Sequence, residues 1–282
     1  MLKKITGIFS ARSMQKKYVI RRIIAISVMI LLILLLVLLF TKCGRSGKKE
    51  AVNADPVVIG PHKPEDLCDI VPLYSSYDYS LPVPENTAVS DSWFDDVLFI
   101  GDSRASGFSV YGILNDTDIV SGNSTSAKHI LDSDCTFDIG SGEQSLNTIL
   151  ISKKYGKVYI SLGTNDLSWD SKPESFQADL SKVVDVVLGY QSSASIYLMD
   201  IVPVSSDYSW SESLNKFNDA IASVAQQKHV YFLDVSSLFN DGSGHLDPDY
   251  DAGNGIGLTV SAYNKMLDYL LSHTVNKEMY KN

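Results

Sequence analysis

The stretch VLFIGDSR, residues 97–104, joins an unbroken apolar run to a short polar turn. Four consecutive apolar residues without polar alternation indicate a β-strand that is buried on both faces of a sheet. Glycine, aspartate and serine then favour a tight turn that leads from the strand towards a helix. We therefore expect a parallel β-sheet covered by helices, with Ser103 at the exit of one strand.

Short apolar runs of the same kind recur after residue 91, and amphipathic stretches lie between them. In one such stretch Leu214, Phe217 and Ile221 are three and four residues apart, which marks the buried face of a helix. Strands are expected at residues 97–100, 118–120, 158–161, 195–199 and 231–233, and helices at 141–154, 173–188, 211–227 and 260–272. This alternation predicts an α/β domain, a three-layer α/β/α sandwich with a parallel sheet.

The polar strand exits are the candidate functional part of this fold. Residues 101–104, 121–123 and 163–166 each follow a predicted strand and combine glycine with polar side chains. In open parallel sheets, sites form in the loops at the carboxyl ends of the strands. We therefore expect these three loops to converge on one edge of the sheet.

Two of these exits resemble sequence blocks of the SGNH, or GDSL-type, ester hydrolase family. Residues 97–104 resemble the first block, a hydrophobic strand running into Gly-Asp-Ser, and residues 157–166, KVYISLGTND, are similar to the third. The resemblance implies that Ser103 is the nucleophile and that the Asn165 amide donates to the developing oxyanion. Gly122 matches the second-block glycine, which implies a backbone N–H directed at the same oxygen. A plain helix-capping turn at Ser103 and a turn role for Asn165 are the alternatives.

The fourth block departs from the family pattern, although the resemblance covers roughly residues 91–273. The family ends with Asp-x-x-His, then Leu-Thr and a final helix, whereas this chain reads NGIGLT at residues 254–259. Asn254 occupies the aspartate position and Gly257 the histidine position. Because glycine cannot accept the proton of Ser103, the general base is absent at its expected place.

Three functions are compatible with these blocks. The resemblance implies a serine esterase acting on O-acyl groups of envelope or extracellular glycans, so that the ligand is an acylated glycan or another small ester. A catalytically impaired relative that binds such groups, or acts as an assembly module, is the second interpretation. The third, an unrelated flavodoxin-like binding domain, would need a glycine-rich phosphate loop that the sequence lacks.

His245 is a candidate substitute for the missing base. It lies twelve residues before Gly257 and close in sequence to Asp247 and Asp249, either of which could orient it. An exposed loop histidine without a catalytic role is the alternative interpretation.

Three more residues are candidates for substrate binding. Arg104 follows the nucleophile position and could bind an anionic group of the substrate, or form an ion pair with a neighbouring carboxylate. Tyr208 and Trp210 follow the fourth predicted strand and could stack on a sugar ring, or serve local packing.

The N-terminal part predicts a membrane anchor. Residues 23–40 are uncharged and strongly apolar, and at about 1.5 Å per residue they span roughly 27 Å, close to the hydrocarbon thickness of a bilayer. The basic residues before this segment favour a cytoplasmic N-terminus and a single-pass protein of the cell membrane. A cleaved signal peptide and a lipoprotein at Cys43 are the alternatives. The predicted segments are a basic cytoplasmic segment at 1–22, the signal anchor at 23–40, a proline-containing extracytoplasmic stalk at 41–90, the SGNH hydrolase-like domain at 91–275 and a tail at 276–282.

Charge and cysteine content argue against other classes of partner. Residues 50–282 hold 13 basic and 33 acidic residues, a net charge of about −20 with histidine neutral. A domain with this negative charge is a poor candidate for binding nucleic acid, because such binding depends on basic side chains that neutralise the phosphates. The three cysteines lack metal-ligand spacing, and no motif calls for a metal or cofactor. Cys68 and Cys135 could pair in an oxidising compartment, or remain unpaired thiols.

Overall fold

The computed structural model describes residues 77–275, apart from Asp170. The predicted cytoplasmic segment, signal anchor, tail and most of the stalk lie outside the described residues, and so do Cys43 and Cys68. Within residues 77–275, no helix combines the length and the apolar composition needed to cross a bilayer.

A parallel sheet of five strands forms the centre of the described domain. Residues 77–275 contain seven strands, of which five form this sheet and two form a separate hairpin: β1 (Val97–Gly101), β2 (Asp118–Ser121), β3 (Thr136–Asp138), β4 (Glu143–Ser145), β5 (Lys157–Ser161), β6 (Ser195–Met199) and β7 (Tyr231–Leu233). The sheet has the order β2-β1-β5-β6-β7, and all its neighbours are parallel. The predicted α/β class with a parallel sheet is confirmed, and each of the five predicted strands is present.

Helices pack on both faces of this sheet. They are α1 (Gly107–Val110), α2 (Leu146–Ser152), α3 (Thr164–Ser168), α4 (Pro173–Tyr190), α5 (Leu214–Lys228) and α6 (Val260–Ser272). Leu98 and Ile100 pack in one core with residues of α2, α4 and α5, whereas Val97 and Phe99 pack in a second core with residues of α1 and α6. Because successive strand residues point to opposite faces, the unbroken apolar run of β1 fills both cores.

The register of the sheet aligns three strand ends. Gly101, the last residue of β1, pairs with Ser121 of β2 on one side and with Ser161 of β5 on the other. The turns after β1, β2 and β5 therefore leave the sheet side by side. β2 lies on one side of β1, and the later strands β5, β6 and β7 lie on the other. The strand order therefore reverses at β1, and open α/β sheets place their sites at such a switch point.

The helix predicted at residues 141–154 is wrong in its first part, because β3 and β4 form an antiparallel hairpin and α2 begins only at Leu146. Gly140 and Gly142 adopt φ values of 95° and 83°, which no α-helix contains. The Asp138 side chain accepts hydrogen bonds from both glycine N–H groups, at 2.8 and 2.9 Å. Two glycines in the left-handed region and this aspartate cap stabilise the turn of the hairpin.

Residues 77–90, assigned by sequence to the stalk, pack on the domain. The Val83 N–H donates to the Phe232 carbonyl of β7 at 2.8 Å, and the Val89 N–H donates to Leu271 of α6 at 3.0 Å. Val83 is buried in the core that contains α1 and α6. The packed domain thus begins before residue 91.

Candidate active site

Asp102, the residue before the predicted nucleophile, connects the β1 turn to the β5 turn. The residue is 2% exposed, and its carboxylate accepts hydrogen bonds from the Arg104 N–H at 2.9 Å and the Thr164 N–H at 3.3 Å. Burial raises the pKa of Asp102, and the positive charge of Arg104 opposes that shift. One carboxylate oxygen therefore stabilises the turn that carries Ser103, and the other holds this turn against the β5 turn.

Ser103 itself lies in the turn between β1 and α1 and is partly exposed. Its carbonyl oxygen accepts a hydrogen bond from the Ser106 hydroxyl, which closes the turn. The structure thus places Ser103 at the carboxyl edge of the sheet, where the sequence predicted it.

The β2 and β5 loops are joined by two side chains of α3. Asn165 Nδ2 donates to the carbonyl oxygens of Asn123 at 3.1 Å and Thr125 at 2.7 Å. Asp166 Oδ2 accepts from the Ala127 N–H at 3.0 Å. Together with the contact between the β1 and β5 turns, these bonds bring the three predicted loops to one place.

The predicted oxyanion donors are adjacent, but the Asn165 amide is already engaged. Both of its hydrogens point at carbonyl oxygens of the β2 loop, so donation to an oxyanion would require one of them to be released. Gly122 lies at the start of that loop, and its carbonyl accepts from the Thr125 N–H at 3.2 Å. The oxyanion roles of Gly122 and Asn165 stay predictions.

Arg104 is buried among backbone carbonyls, and its contact with an anionic substrate group stays a prediction. The residue is 8% exposed, and its guanidinium donates to the carbonyl oxygens of Val202 at 2.5 Å, Pro203 at 3.0 Å and Ile256 at 2.9 Å. Burial lowers the pKa of Arg104, and the nearby Asp102 carboxylate opposes this. Since its five donors form a rigid planar fork, Arg104 connects the loop after β6 to the fourth-block loop.

A tight loop carries the fourth block. Asp251 accepts hydrogen bonds from the N–H groups of Gly253 and Gly255, both at 2.9 Å. Gly255 has φ 72°, and a Cβ at this position would lie 2.7 Å from the Ser205 Cβ and 2.9 Å from the Tyr208 ring. The loop therefore requires glycine at position 255 for both its backbone conformation and its close packing.

Asn254 and Gly257 stand in contact within this loop. The Asn254 Oδ1 accepts a hydrogen bond from the Gly257 N–H at 2.6 Å. Two residues later, the Thr259 side chain accepts from the Ala262 N–H at 3.3 Å and caps α6. The predicted order of a loop, Leu-Thr and a final helix is thus present. That Asn254 and Gly257 replace the family's aspartate and histidine stays a prediction.

His245 lies in a different turn, closed by a bridge between Asn240 and Leu246. Its Nδ1 is 3.0 Å from the Ser243 hydroxyl, and its N–H donates to Asp241 Oδ1 at 3.1 Å. These contacts stay within the turn, and in residues 77–275 no hydrogen bond joins His245 to the loop of Ser103. Its role as a substitute base stays a prediction.

Tyr208 and Trp210 lie near the fourth-block loop. The Tyr208 hydroxyl donates to the Asn254 carbonyl at 2.8 Å, and the two rings are 5.1 Å apart at their centroids. Trp210 also packs against the core that contains α2, α4 and α5. Both aromatics thus have packing partners, and their predicted stacking on a sugar ring stays untested.

A polar groove of about 530 Å³ opens beside these turns. Its wall includes Ser106, which closes the Ser103 turn, and Ser121, which precedes Gly122. Further along, Asn115, Asp116, Thr117 and Asp138 line it. A separate cavity of about 20 Å³ lies between Asp102 and α6 and has room for a single water molecule.

Sequence reasoning overlooked Asp102, Asp166 and Trp169. The two aspartates stand inside the matched blocks, but their buried bonds to the Thr164 and Ala127 N–H groups depend on the packing of separate loops. Trp169 is 50% exposed and follows Asn165 by four residues. That spacing, which places two side chains on one helical face, was the available signal.

Comparisons with known proteins agree on the fold. The model of the GDSL-like lipase/acylhydrolase family matches residues 99–263, while no curated protein matches the chain. A Streptococcus pneumonia protein, provisionally described as a platelet activating factor, is 20% identical, with 68% of this chain and 87% of that chain covered and a TM-score of 0.52.

Two further solved structures are similar. A Desulfitobacterium hafniense protein, provisionally described as lipolytic and of the G-D-S-L family, is 17% identical, with 64% of this chain and 99% of that chain covered and a TM-score of 0.51. A GDSL-like lipase from Bacteroides thetaiotaomicron is 14% identical, with 68% and 91% covered and a TM-score of 0.49. At 20% and 17% identity, the likenesses to the Streptococcus pneumonia and Desulfitobacterium hafniense proteins concern the fold alone.

Proposed function

The chain belongs to the GDSL-like lipase/acylhydrolase family, and on that premise we propose that it takes short O-acyl esters of envelope or extracellular glycans at Ser103. The predicted signal anchor holds the domain at the outer side of the cell membrane. Hydrolysis is slow, because Gly257 replaces the histidine that would accept the serine proton. Asn254, in place of the aspartate, carries no charge to stabilise an imidazolium.

The geometry of the fourth block carries this proposal. The Gly257 N–H is 2.6 Å from Asn254 Oδ1, and the capped helix that follows fixes the frame of the block. Glycine at position 257 offers no side chain that could accept the Ser103 proton. Serine hydrolases that lose triad members keep roughly 10³–10⁴-fold acceleration over water, from binding and oxyanion stabilisation alone.

The groove lined by Ser106 and Ser121, which are neighbours of Ser103 and Gly122 in sequence, favours a short acyl group on a polar carrier. Its volume of about 530 Å³ falls within the roughly 300–1,000 Å³ typical of small-molecule sites. Carboxylates, hydroxyls and amides form most of its wall. A long alkyl chain gains free energy by burial against apolar surface, which this wall offers only in part.

A binding or assembly module without turnover is the alternative, and the state of Asn165 favours it. Both hydrogens of its amide are held by Asn123 and Thr125. A site whose side-chain oxyanion donor stays engaged would bind an ester and leave it intact.

Turnover of p-nitrophenyl acetate by the full-length protein separates the two functions. We expect slow hydrolysis above the buffer rate, and loss of that excess in Ser103→Ala. Ser192→Ala is the matched control, because Ser192 is an exposed serine in the turn before β6, at the other end of the strands. If the wild-type protein hydrolysed the ester no faster than buffer alone, only the binding or assembly module would remain as a function. Undiminished activity in Ser103→Ala would exclude Ser103 as the nucleophile.

A further inference from the structure

An exposed aromatic and polar surface borders the candidate site on the side of the β2 and β5 loops. It consists of Trp169, His129 and Asp132, which we call the rim patch. The rings of Trp169 and His129 are 6.2 Å apart at an angle of 59°. His129 Nδ1 lies 3.0 Å from Asp132 Oδ2, with both side chains about half exposed, at 46% and 55%.

The rim patch is fixed to the predicted oxyanion donor by backbone. The Trp169 N–H donates to the Asn165 carbonyl at 3.0 Å, so the tryptophan continues the helical turn of α3. Residues four apart in a helix share a face, with Cβ atoms about 6 Å apart. Asn165 and Trp169 therefore lie next to each other along one side of the site.

The opposite half of the patch is held just as closely. His129 follows Thr125 and Ala127 in the β2 loop, and those two residues are bonded to Asn165 and Asp166. The His129 N–H donates to the Ser126 carbonyl at 3.2 Å. Two interlocked loops thus present the indole and the imidazole together, which limits the ordering that a ligand would have to impose.

The chemistry of the rim patch matches a sugar ring. Trp169 is 50% exposed, and its indole can offer apolar contact to the C–H face of a pyranose, since amphipathic rings are suited to sites that are partly wet. Beside it, imidazole and carboxylate supply the donors and acceptors that sugar hydroxyls need. The negative charge of Asp132 disfavours phosphate or uronate groups at this position.

We propose that the rim patch is a carbohydrate subsite, which holds a neutral or amino sugar ring of the ester's carrier while the acyl group lies at Ser103. This inference rests on the proposed function and names the part of the substrate that the site recognises. Trp169 acts here as a specificity-determining residue, while the stacking role that the sequence suggested for Tyr208 and Trp210 stays a separate prediction. The Tyr208 hydroxyl is bonded to Asn254, and Trp210 packs on the core.

Calorimetric titration of the full-length protein with O-acetylated xylo-, manno- and chito-oligosaccharides tests the proposal. We expect binding of at least one of the three, weakened roughly three- to tenfold in Trp169→Ala, the size of a typical aromatic contact. Trp169→Phe should restore part of the affinity because it keeps an aromatic face. Tyr190→Ala is the control, since Tyr190 is 38% exposed and ends α4, away from the site.

Failure of this inference and failure of the proposed hydrolysis give different results. Absence of binding to all three oligosaccharides, or equal affinity in Trp169→Ala and Tyr190→Ala, overturns the subsite. Hydrolysis of p-nitrophenyl acetate, an ester without a sugar, is measured independently of that outcome. The protein could also bind an oligosaccharide through Trp169 and show no esterase activity. That result would support both the carbohydrate subsite and the alternative function as a binding module.

Discussion

Arg104 holds two loops beside the candidate site through one buried side chain. Arg104→Lys keeps the charge but replaces a planar fork by one nitrogen, which cannot serve the carbonyls of Val202, Pro203 and Ile256 together. Because hydrogen bonds to charged groups contribute about 1.5–3 kcal/mol each, we expect the free energy of unfolding to fall by roughly 2–4 kcal/mol. Urea denaturation followed by circular dichroism measures it.

Lys182→Met provides the comparison for Arg104→Lys. Lys182 is paired with Asp179, but its side chain is 67% exposed, and exposed ion pairs contribute at most about 1 kcal/mol. If Arg104→Lys proved as stable as this control, the guanidinium would not be the connection that the structure indicates.

For single residues, the sequence predicted the place in the fold better than it predicted the hydrogen-bond partners. Ser103, Gly122 and Asn165 could be placed because each follows a strand within its own short block. The partners of Arg104 could not, since Val202 and Ile256 lie 98 and 152 positions away along the chain. Which carbonyl a buried guanidinium meets is decided by the packing of separate loops.

At the scale of the element, the fourth-block loop offers a matched pair of glycines. Gly253 and Gly255 have φ values of 97° and 72°, but only Gly255 lies against other atoms, with Ser205 2.7 Å from its ideal Cβ. Both alanine variants suffer about 1–2 kcal/mol of left-handed strain, and Gly255→Ala adds roughly 1–3 kcal/mol of overlap. Chemical unfolding should therefore show Gly255→Ala to be the less stable variant.

The pair provides its own control. Equal stability of the two variants would mean that the loop does not pack against Ser205 and Tyr208 as described. In that case the position of Gly257 relative to Asn254 would also need revision, because both belong to the same loop.

Elements with a continuous pattern were predicted well, and short irregular ones were not. β1 and α6 have unbroken apolar runs or a clear helical period, and both were found within one residue of the expected bounds. The β3–β4 hairpin has strands of only three residues each. Its conformation depends on Gly140 and Gly142 at positive φ, and a periodicity of apolar residues carries no information about such a turn.

At the scale of the whole molecule, the topology brings the site together. A parallel sheet with β1 between β2 and β5 aligns the three exits at one edge, and this convergence was predictable from the strand pattern alone. The packing of residues 77–90 on β7 and α6 was not, because its prolines and polar residues resemble those of an extended linker.

Restoring the missing base tests the account most directly. The double variant Asn254→Asp, Gly257→His supplies the family's fourth block. A side chain fits at position 257, because its backbone φ is not in the left-handed region and the ideal Cβ lies 3.1 Å from Asn254 Oδ1, so that only a small shift is needed.

The measurement is kcat/KM on p-nitrophenyl acetate as a function of pH, with variants of equal thermal stability. We predict a rise of at least about 100-fold over wild type, since a positioned general base contributes roughly 10²–10⁴-fold. The new activity should increase with pH through about 6.5, because only the neutral imidazole accepts a proton, and Ser103→Ala should abolish it. A folded double variant no faster than wild type would contradict the claim that the histidine is the part this site lacks.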